Sequence, residues 1–286
     1  MTYPVSGCTF IRDTIVGAFC LFESMASLLP FVDDMCILDL GSTDGTWELL
    51  CDIAAANMRV TVIKGQFSRT DASAFADAAN DCIALGNHDN VLFWQADEIW
   101  HEKLLARMGE HFERGEFDLS FWRYQLRDNF QRMKWFPHLV HRVGNRKDGK
   151  FNFVNDGMNS DRTWDAKLCA EHDGGWFLKW GQMDPLTMPV YDMIMDVSLV
   201  GGFRDNIVRR RALHAPMWHE APRVEGEDPG RWHQRALQDP IWTKQDTPYN
   251  IPRIMRWHVG RVTYDVRPDL IDALKNDSTR EYMDAI

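Results

Sequence analysis

Four short apolar runs punctuate the first hundred residues: Val5 to Ile11, Met35-Cys36-Ile37-Leu38-Asp39-Leu40, Arg59-Val60-Thr61-Val62-Ile63, and Val91-Leu92-Phe93-Trp94-Gln95-Ala96-Asp97-Glu98. Runs of this length, bounded by turn residues or charge, read as strands, and the most continuously apolar of them as strands covered on both faces. Segments with helical spacing lie between them, at Thr14 to Leu29 (closed by Pro30), Trp47 to Cys51 and Ala72 to Leu85. Strands alternating with helices at these intervals predict βαβ units joined by right-handed crossovers. The expected fold is therefore α/β, a mostly parallel central sheet flanked by helices.

The fourth run stops abruptly at two adjacent carboxylates, Asp97 and Glu98, which place acids at the carboxyl end of the expected strand. Ligands bind at the carboxyl ends of strands in open α/β sheets, and a carboxylate there can hold a hard divalent cation against substrate phosphates. The competing reading is an exposed acidic turn before a helix at His101-Glu102-Lys103-Leu104-Leu105, whose dipole favours acids near its start. The second run ends in Asp39-Leu40-Gly41-Ser42-Thr43-Asp44-Gly45-Thr46, a turn leading into a helix. It contains neither G-x-G-x-x-G nor a phosphate loop ending in Gly-Lys-Ser/Thr. Its carboxylates would repel a pyrophosphate but suit a base edge or ribose hydroxyls. Ser42, Thr43 and Asp44 also suit a plain turn with a helix cap.

Taken in order, these motifs resemble family 2 glycosyltransferases, whose fold is called GT-A. The turn Asp39 to Thr46 is similar to that family's first nucleotide-binding turn, Ala79-Asn80 fits its pattern before the fourth strand, and Gln95-Ala96-Asp97-Glu98 occupies the place of its Asp-x-Asp metal motif. The likeness covers roughly residues 5 to 105, with Leu40 and Gln95 standing where many members carry Asp. It implies a Rossmann-like sheet with an acceptor-side extension. It implies that Thr9, Arg12 and Asp39 line a nucleoside pocket with Asp44 close by, that Gln95 faces the ribose, and that Asp97 ligates Mn²⁺ or Mg²⁺ bridging a donor diphosphate. The implied activity is metal-dependent, inverting transfer of a sugar from a nucleotide-sugar donor, a UDP-sugar, to an acceptor hydroxyl.

Beyond residue 115 the texture changes, and the division expected is 1–115 as the nucleotide-sugar half and 116–286 as the acceptor-side half of one domain. Phe121-Trp122-Arg123-Tyr124-Gln125-Leu126-Arg127 and Lys134-Trp135-Phe136-Pro137-His138 interleave aromatics with cations, and Leu139 to Val143 reads as a strand before the turn Asn145 to Lys150. Eight cations lie between Arg123 and Lys150 against the two acids Asp128 and Asp148. Charge with flat rings suits a phosphate-bearing or nucleic-acid acceptor such as a modified DNA base, a saccharide hydroxyl being the other candidate. A solvated face over an aromatic core is the plainer reading. Inversion needs a carboxylate to deprotonate the acceptor; Asp156 in Val154-Asn155-Asp156-Gly157 is the first candidate, with Asp165, Glu171 and Glu220 as rivals. By the same likeness His214 completes the metal site, with His219 and His258 as alternatives, and Arg223 contacts the diphosphate. Glu225 to Gly230 reads as a closing loop. In the tail, Arg261 to Val266 reads as a strand and Leu270 to Leu274 as a helix.

Composition narrows the classes further. A net charge of -10 removes any whole-molecule attraction to nucleic acid or anionic membrane, leaving only a local basic face. Cysteines at 8, 20, 36, 51, 82 and 169 are scattered, several inside apolar runs, so buried thiols in a reducing compartment are expected rather than zinc or disulfides. With no basic-then-apolar leader and no membrane-span pattern, the expectation is a cytoplasmic protein. Two further classes stay open: a nucleotidyltransferase, which lacks its phosphate loop here, and a non-catalytic sugar- or nucleic-acid-binding module on the same scaffold.

Overall fold

The computed structural model describes residues 3–66, 74–127, 132–134, 138–149, 151–153, 167–168, 194–199, 242–244, 252–258 and 264–286; 124–127, 132–134, 138–139, 167–168, 194–199 and 242–244 are described as backbone only. The apolar runs become β1 (Val5–Ile11), β2 (Asp34–Asp39), β3 (Val60–Lys64) and β4 (Asn90–Phe93). They pair in parallel in the order β3-β2-β1-β4, with Ile11 opposite Asp39 and Cys8 opposite Phe93. Because β2 and β4 lie on opposite sides of β1, the strand order reverses there. A crevice opens at such a point beyond the carboxyl ends.

Side chains alternate between two cores, as the two-residue period of a strand requires. Val5, Ile11, Met35, Ile37, Leu92 and Trp94 join one; Cys8, Cys36, Leu38, Val91 and Phe93 join the other. The second core is roofed by α4 (Ala74–Leu85), whose small Ala76, Ala79 and Cys82 let the helix lie close to the strands. The first is covered by α2 (Leu21–Leu28), α3 (Thr46–Ala56) and α5 (Glu102–Glu113). In α5, Leu104, Leu105, Met108 and Phe112 are buried, the spacing of one helical face, and His101 caps it by accepting from the Lys103 amide at 3.1 Å.

The helix expected over Thr14 to Leu29 is broken in two. α1 covers only Thr14–Gly17, and Ala18 and Cys20 adopt left-handed φ of 51° and 55° before α2 begins. The break re-aims the chain so that α2 is buried at every residue, under the sheet on one side and the carboxyl-terminal helices on the other. Those are α6 (Pro268–Lys275) and α7 (Thr279–Ala285). Burying Leu270, Ile271 and Leu274 contributes about 2 kcal/mol each. Asn57 donates to the Leu274 carbonyl at 2.7 Å, satisfying an orphan group at the end of α6, and Arg280 reaches the Pro30 carbonyl at 2.8 Å. The strand expected at Arg261 to Val266 is not seen in its described part: Tyr264 to Val266 lie outside any strand. The Tyr264 hydroxyl instead donates to buried Glu23 at 3.0 Å.

The sheet continues past β4. β8 (His138–Asn145) pairs antiparallel to β4, then β6 (Leu119–Arg127), β7 (Arg132–Lys134) and β11 (Trp242–Lys244) follow. β10 (Ile194–Leu199) runs parallel to β6 and antiparallel to the short β5 (Glu98–Ile99), and β9 (Lys167–Leu168) also joins β6. The sheet is thus parallel at the β1–β4 end and largely antiparallel beyond. Among the described residues no helix is long and apolar enough to cross a membrane.

Candidate active site

Three strand tips meet at the reversal point. β1 delivers Arg12 and Asp13, β2 delivers Asp39, and β4 delivers Gln95 and Asp97. Thr9, buried two residues inside β1, keeps its hydroxyl on its own strand, 3.3 Å from the Phe10 carbonyl, and its carbonyl accepts from the Cys82 thiol at 3.0 Å. Arg12 is partly exposed, with Nε 3.4 Å from Asp13.

Asp39 is fully buried. Its Oδ1 accepts from the Gly41 and Ser42 amides, both at 2.8 Å, and Gly41 permits this tight turn with a φ of 90° in open space. Among the described residues its Oδ2 is buried without a hydrogen-bond partner. A buried carboxylate oxygen with an unused lone pair is costly and uncommon, and it is a place where a ligand's N–H can complete the structure.

Asp44 has another task. Its Oδ2 accepts from the Val16 amide at 2.8 Å and its Oδ1 from the Thr46 amide at 3.1 Å, while Thr46 Oγ1 receives the Thr14 and Ile15 amides. The second turn thus caps the four-residue α1 from outside, because the helix's own cap position, Asp13, makes no side-chain cap bond. Asp13 in turn accepts from the Thr43 amide and hydroxyl and donates its amide to Ser42. Ser42, Thr43 and Asp44 are thus turn residues, but the helix cap among them, Asp44 to the Val16 amide, serves α1, while the α3 that follows has Gly45 at its N-cap with no side-chain cap bond, and the lacing holds the tips of β1 and β2 together.

At β4, Asp97 is half-buried in the turn after the strand. Its neighbour Glu98 is fully buried and gripped by Arg142, Nε to Oε2 at 2.9 Å and Nη2 to Oε1 at 2.7 Å, with Arg123 Nη1 3.3 Å from Oε1. Burial alone would raise its pKa, but the charges and hydrogen bonds of Arg142, then the charge of Arg123, outweigh this and hold it below the usual carboxylate range. Arg123 also donates to Gln95 Oε1 at 3.1 Å, and the Gln95 amide nitrogen of the backbone donates to Glu98 at 3.2 Å. The chain's order of residues says nothing of this cluster. The one signal available was a cation inside each of two strand-like runs.

The cluster also corrects the picture of one exposed basic face between Arg123 and Lys150. Arg142 is fully buried and Arg123 nearly so, while Arg146 donates to the carbonyls of Ala84 and Gly86 and, with Lys147, faces Asp89. Four of the eight cations are therefore spent inside the fold or on one acid, because β8 is an interior strand and its ends fold back on α4. The side chains of Arg127, Arg132 and Lys134, and Lys150, lie outside the described residues.

Asn80 on α4 clamps the backbone of Phe153 from both sides, donating to its carbonyl at 3.0 Å and accepting from its amide at 2.8 Å. Phe153 packs on Phe93 of β4 with ring centroids 4.4 Å apart. The chain is thereby anchored three residues before Asp156. Asp156, Asp165, Glu171, His214, His219, Glu220, Arg223 and the loop Glu225 to Gly230 themselves lie outside the described residues. His258 is described and belongs to the core: its Nε2 is 2.7 Å from Glu23 and its ring stacks on Tyr264, because the turn carrying it packs against α2. Among the described residues no group of three His, Cys, Asp or Glu could by itself hold a metal ion.

A parallel α/β sheet with acidic strand tips at its reversal point defines a nucleotide-binding class of fold. The family model for glycosyl transferase family 2 matches residues 21–166, and the chain belongs to that family. No curated protein sequence matches it. Similar solved structures include S. aureus TarS 1-349 in complex with UDP (15% identity, 44% of this chain and 35% of that one, TM-score 0.33). A mannosyltransferase from Pyrobaculum calidifontis in complex with GDP-Man and Mn²⁺ is 13% identical over 84% of this chain and 72% of that one, TM-score 0.38. Glucosyl-3-phosphoglycerate synthase from Mycobacterium tuberculosis, in complex with Mn²⁺ and UDP-Glc, is 19% identical over 44% of each chain, TM-score 0.29. The match spans about a third of the TarS chain and under half of the synthase.

Proposed function

We propose that the protein transfers a sugar from a nucleoside diphosphate sugar, a UDP-sugar, to an acceptor hydroxyl with inversion at the anomeric carbon. The observation that carries this reading is the buried, unpartnered Oδ2 of Asp39 at the reversal point of the sheet. Uracil presents an imide N–H that such an oxygen can accept, whereas a carboxylate repels a phosphate in the same place. The tips of β2 and β4 are two strand spacings apart, about 10 Å, so a nucleoside held at Asp39 extends toward Gln95 and Asp97.

Asp97 is the residue for a divalent cation, Mn²⁺ or Mg²⁺. The described residues fit such an ion only in part: Glu98 is committed to two guanidiniums, and no group of three His, Cys, Asp or Glu comes together among them. One or two carboxylates plus substrate phosphates is nonetheless the usual way Mg²⁺ is held, with His214 as the proposed second protein ligand. The ion, when bound, offsets negative charge developing on the leaving diphosphate. Arg223 is assigned to the same diphosphate, and Thr9 and Arg12 to the nucleoside side of the pocket. Asp156, three residues beyond the clamped Phe153 in the chain, is proposed to accept the acceptor's proton. For the acceptor, the commitment of Arg123, Arg142 and Arg146 to partners inside the fold favours a saccharide hydroxyl over a modified DNA base.

The test is a panel of nucleoside diphosphate sugars, each with and without Mn²⁺, scored by thermal stabilisation and by slow hydrolysis of the donor. Stabilisation by uridine nucleotides above guanosine and adenosine nucleotides is expected. A protein whose melting is unmoved by every donor, and which hydrolyses none, would refute the reading.

A further inference from the structure

We infer that Arg123 is a positioning residue that locks the side-chain amide of Gln95 with its nitrogen turned outward, so that this position donates a hydrogen bond to an oxygen of the bound nucleotide and does not ligate a cation. The inference rests on the nucleotide-binding reading above.

The polarity of the amide follows from chemistry as well as from distance. A guanidinium carries only donors, so a glutamine that meets one must present its oxygen. Arg123 Nη1 lies 3.1 Å from Gln95 Oε1, which turns the amide nitrogen away from Arg123. Arg123 is not free to release it. The same Nη1 lies 3.3 Å from Glu98 Oε1, and Glu98 is held by Arg142 through two bonds and by the backbone N–H of Gln95 itself. Glu98 and Arg142 are fully buried and Arg123 is 5% exposed, whereas Gln95 is only half-buried and is the member of the cluster that reaches the strand tip.

A carboxylate at residue 95 would offer lone pairs outward and could bind a cation. The locked amide turns its two N–H groups outward and its oxygen toward the Arg123 guanidinium, and hard divalent cations take oxygen ligands away from such a charge. Its partner must be an acceptor, a ribose or phosphate oxygen. Nucleotide contact at this position is then independent of the metal.

The experiment titrates UDP into the full-length protein in the presence of EDTA and compares wild type with Gln95→Met, Gln95→Glu, Arg123→Met and the Gln95→Met/Arg123→Met pair. Both Gln95 variants should weaken UDP about tenfold, the size of one hydrogen bond to a strong acceptor. Arg123→Met should weaken it in the wild-type background and add nothing once Gln95 is Met, which a merely structural role would not produce. In wild type and Gln95→Met, 2′-deoxy- and 3′-deoxy-UDP locate the contact: a Gln95→Met penalty that vanishes with either puts it on ribose, one that persists puts it on phosphate, and each supports a donor role. Gln95→Glu binding UDP as tightly as wild type would overturn the inference, as would equal Arg123→Met losses in both backgrounds. Should Arg123→Met not melt cooperatively, the Gln95→Glu comparison decides alone. Wild type that binds no nucleoside diphosphate overturns the parent reading as well, whereas tight wild-type binding with an indifferent Gln95→Glu sinks only this one.

Discussion

Arg142 and Glu98, 44 residues apart in the chain, meet through two parallel hydrogen bonds of 2.7 and 2.9 Å where neither side chain is touched by solvent. Glu98 follows Asp97 in the chain and opens β5, so this pair ties the end of the turn that carries Asp97 to β8.

Removing one partner strands the other. Glu98→Gln keeps the shape but leaves Arg142 and Arg123 without their common carboxylate, and breaking a buried pair in this way costs about 3 to 5 kcal/mol. Urea unfolding at neutral pH should show a lower midpoint with an unchanged slope.

The same carboxylate predicts a pH dependence. Its folded pKa is depressed, so it binds a proton less readily in the native state than in the unfolded one. The stabilisation is present above the unfolded value, about 4.3, and is lost as pH falls through the lower folded value. Melting temperatures followed from pH 7 down to pH 3 should fall more steeply in wild type than in Glu98→Gln.

Asp39→Asn separates fold from ligand. The side chain can still accept from the Gly41 and Ser42 amides through one oxygen, so the melting temperature should move by only a few degrees. Its amide nitrogen then opposes the imide N–H of uracil, and UDP affinity should drop about tenfold or more by isothermal titration.

Asp44→Ala should do the reverse. It removes an acceptor from the Val16 and Thr46 amides and should cost about 1 kcal/mol in unfolding free energy, as lost caps do. Affinity for UDP should stay within about threefold of wild type, since the lost bonds are internal.

Asp97→Ala is the test of turnover. Folding should be nearly unaffected, because the side chain is half-buried in a turn, while transfer or donor hydrolysis should fall about a hundredfold or more. Unchanged turnover in a well-folded variant would remove Asp97 from the chemistry.

Much of the amino-terminal half was legible before any coordinates. The first three apolar runs are strands to within a residue; the fourth starts where expected but ends at Phe93, with a turn before Glu98 opens the separate β5, and the turn after Asp39 and the helix after Gly45 stand where expected. The errors are instructive. Thr14 to Leu29 has one helical period throughout, but the chain breaks at Ala18 and Cys20, and the contacts that bury α2, with the two carboxyl-terminal helices more than 230 residues on, are invisible to a local period. The cations of β6 and β8 were counted together because sequence records charge and not direction. Arg142 points inward to Glu98 only because β8 pairs with β4 as an interior strand.

By itself the sequence determined the periods, hence the strands, the helices, the two-faced burial of the sheet and the acidic ends of its second and fourth strands; these follow from each residue's own size, charge and spacing. Only the tertiary structure decided which of two adjacent carboxylates is fully buried, Glu98 and not Asp97, and that among the described residues Asp39 keeps an oxygen without a partner. The physical reason is that a buried charge is tolerable only beside its partner, and strand order, not sequence order, chooses the partner.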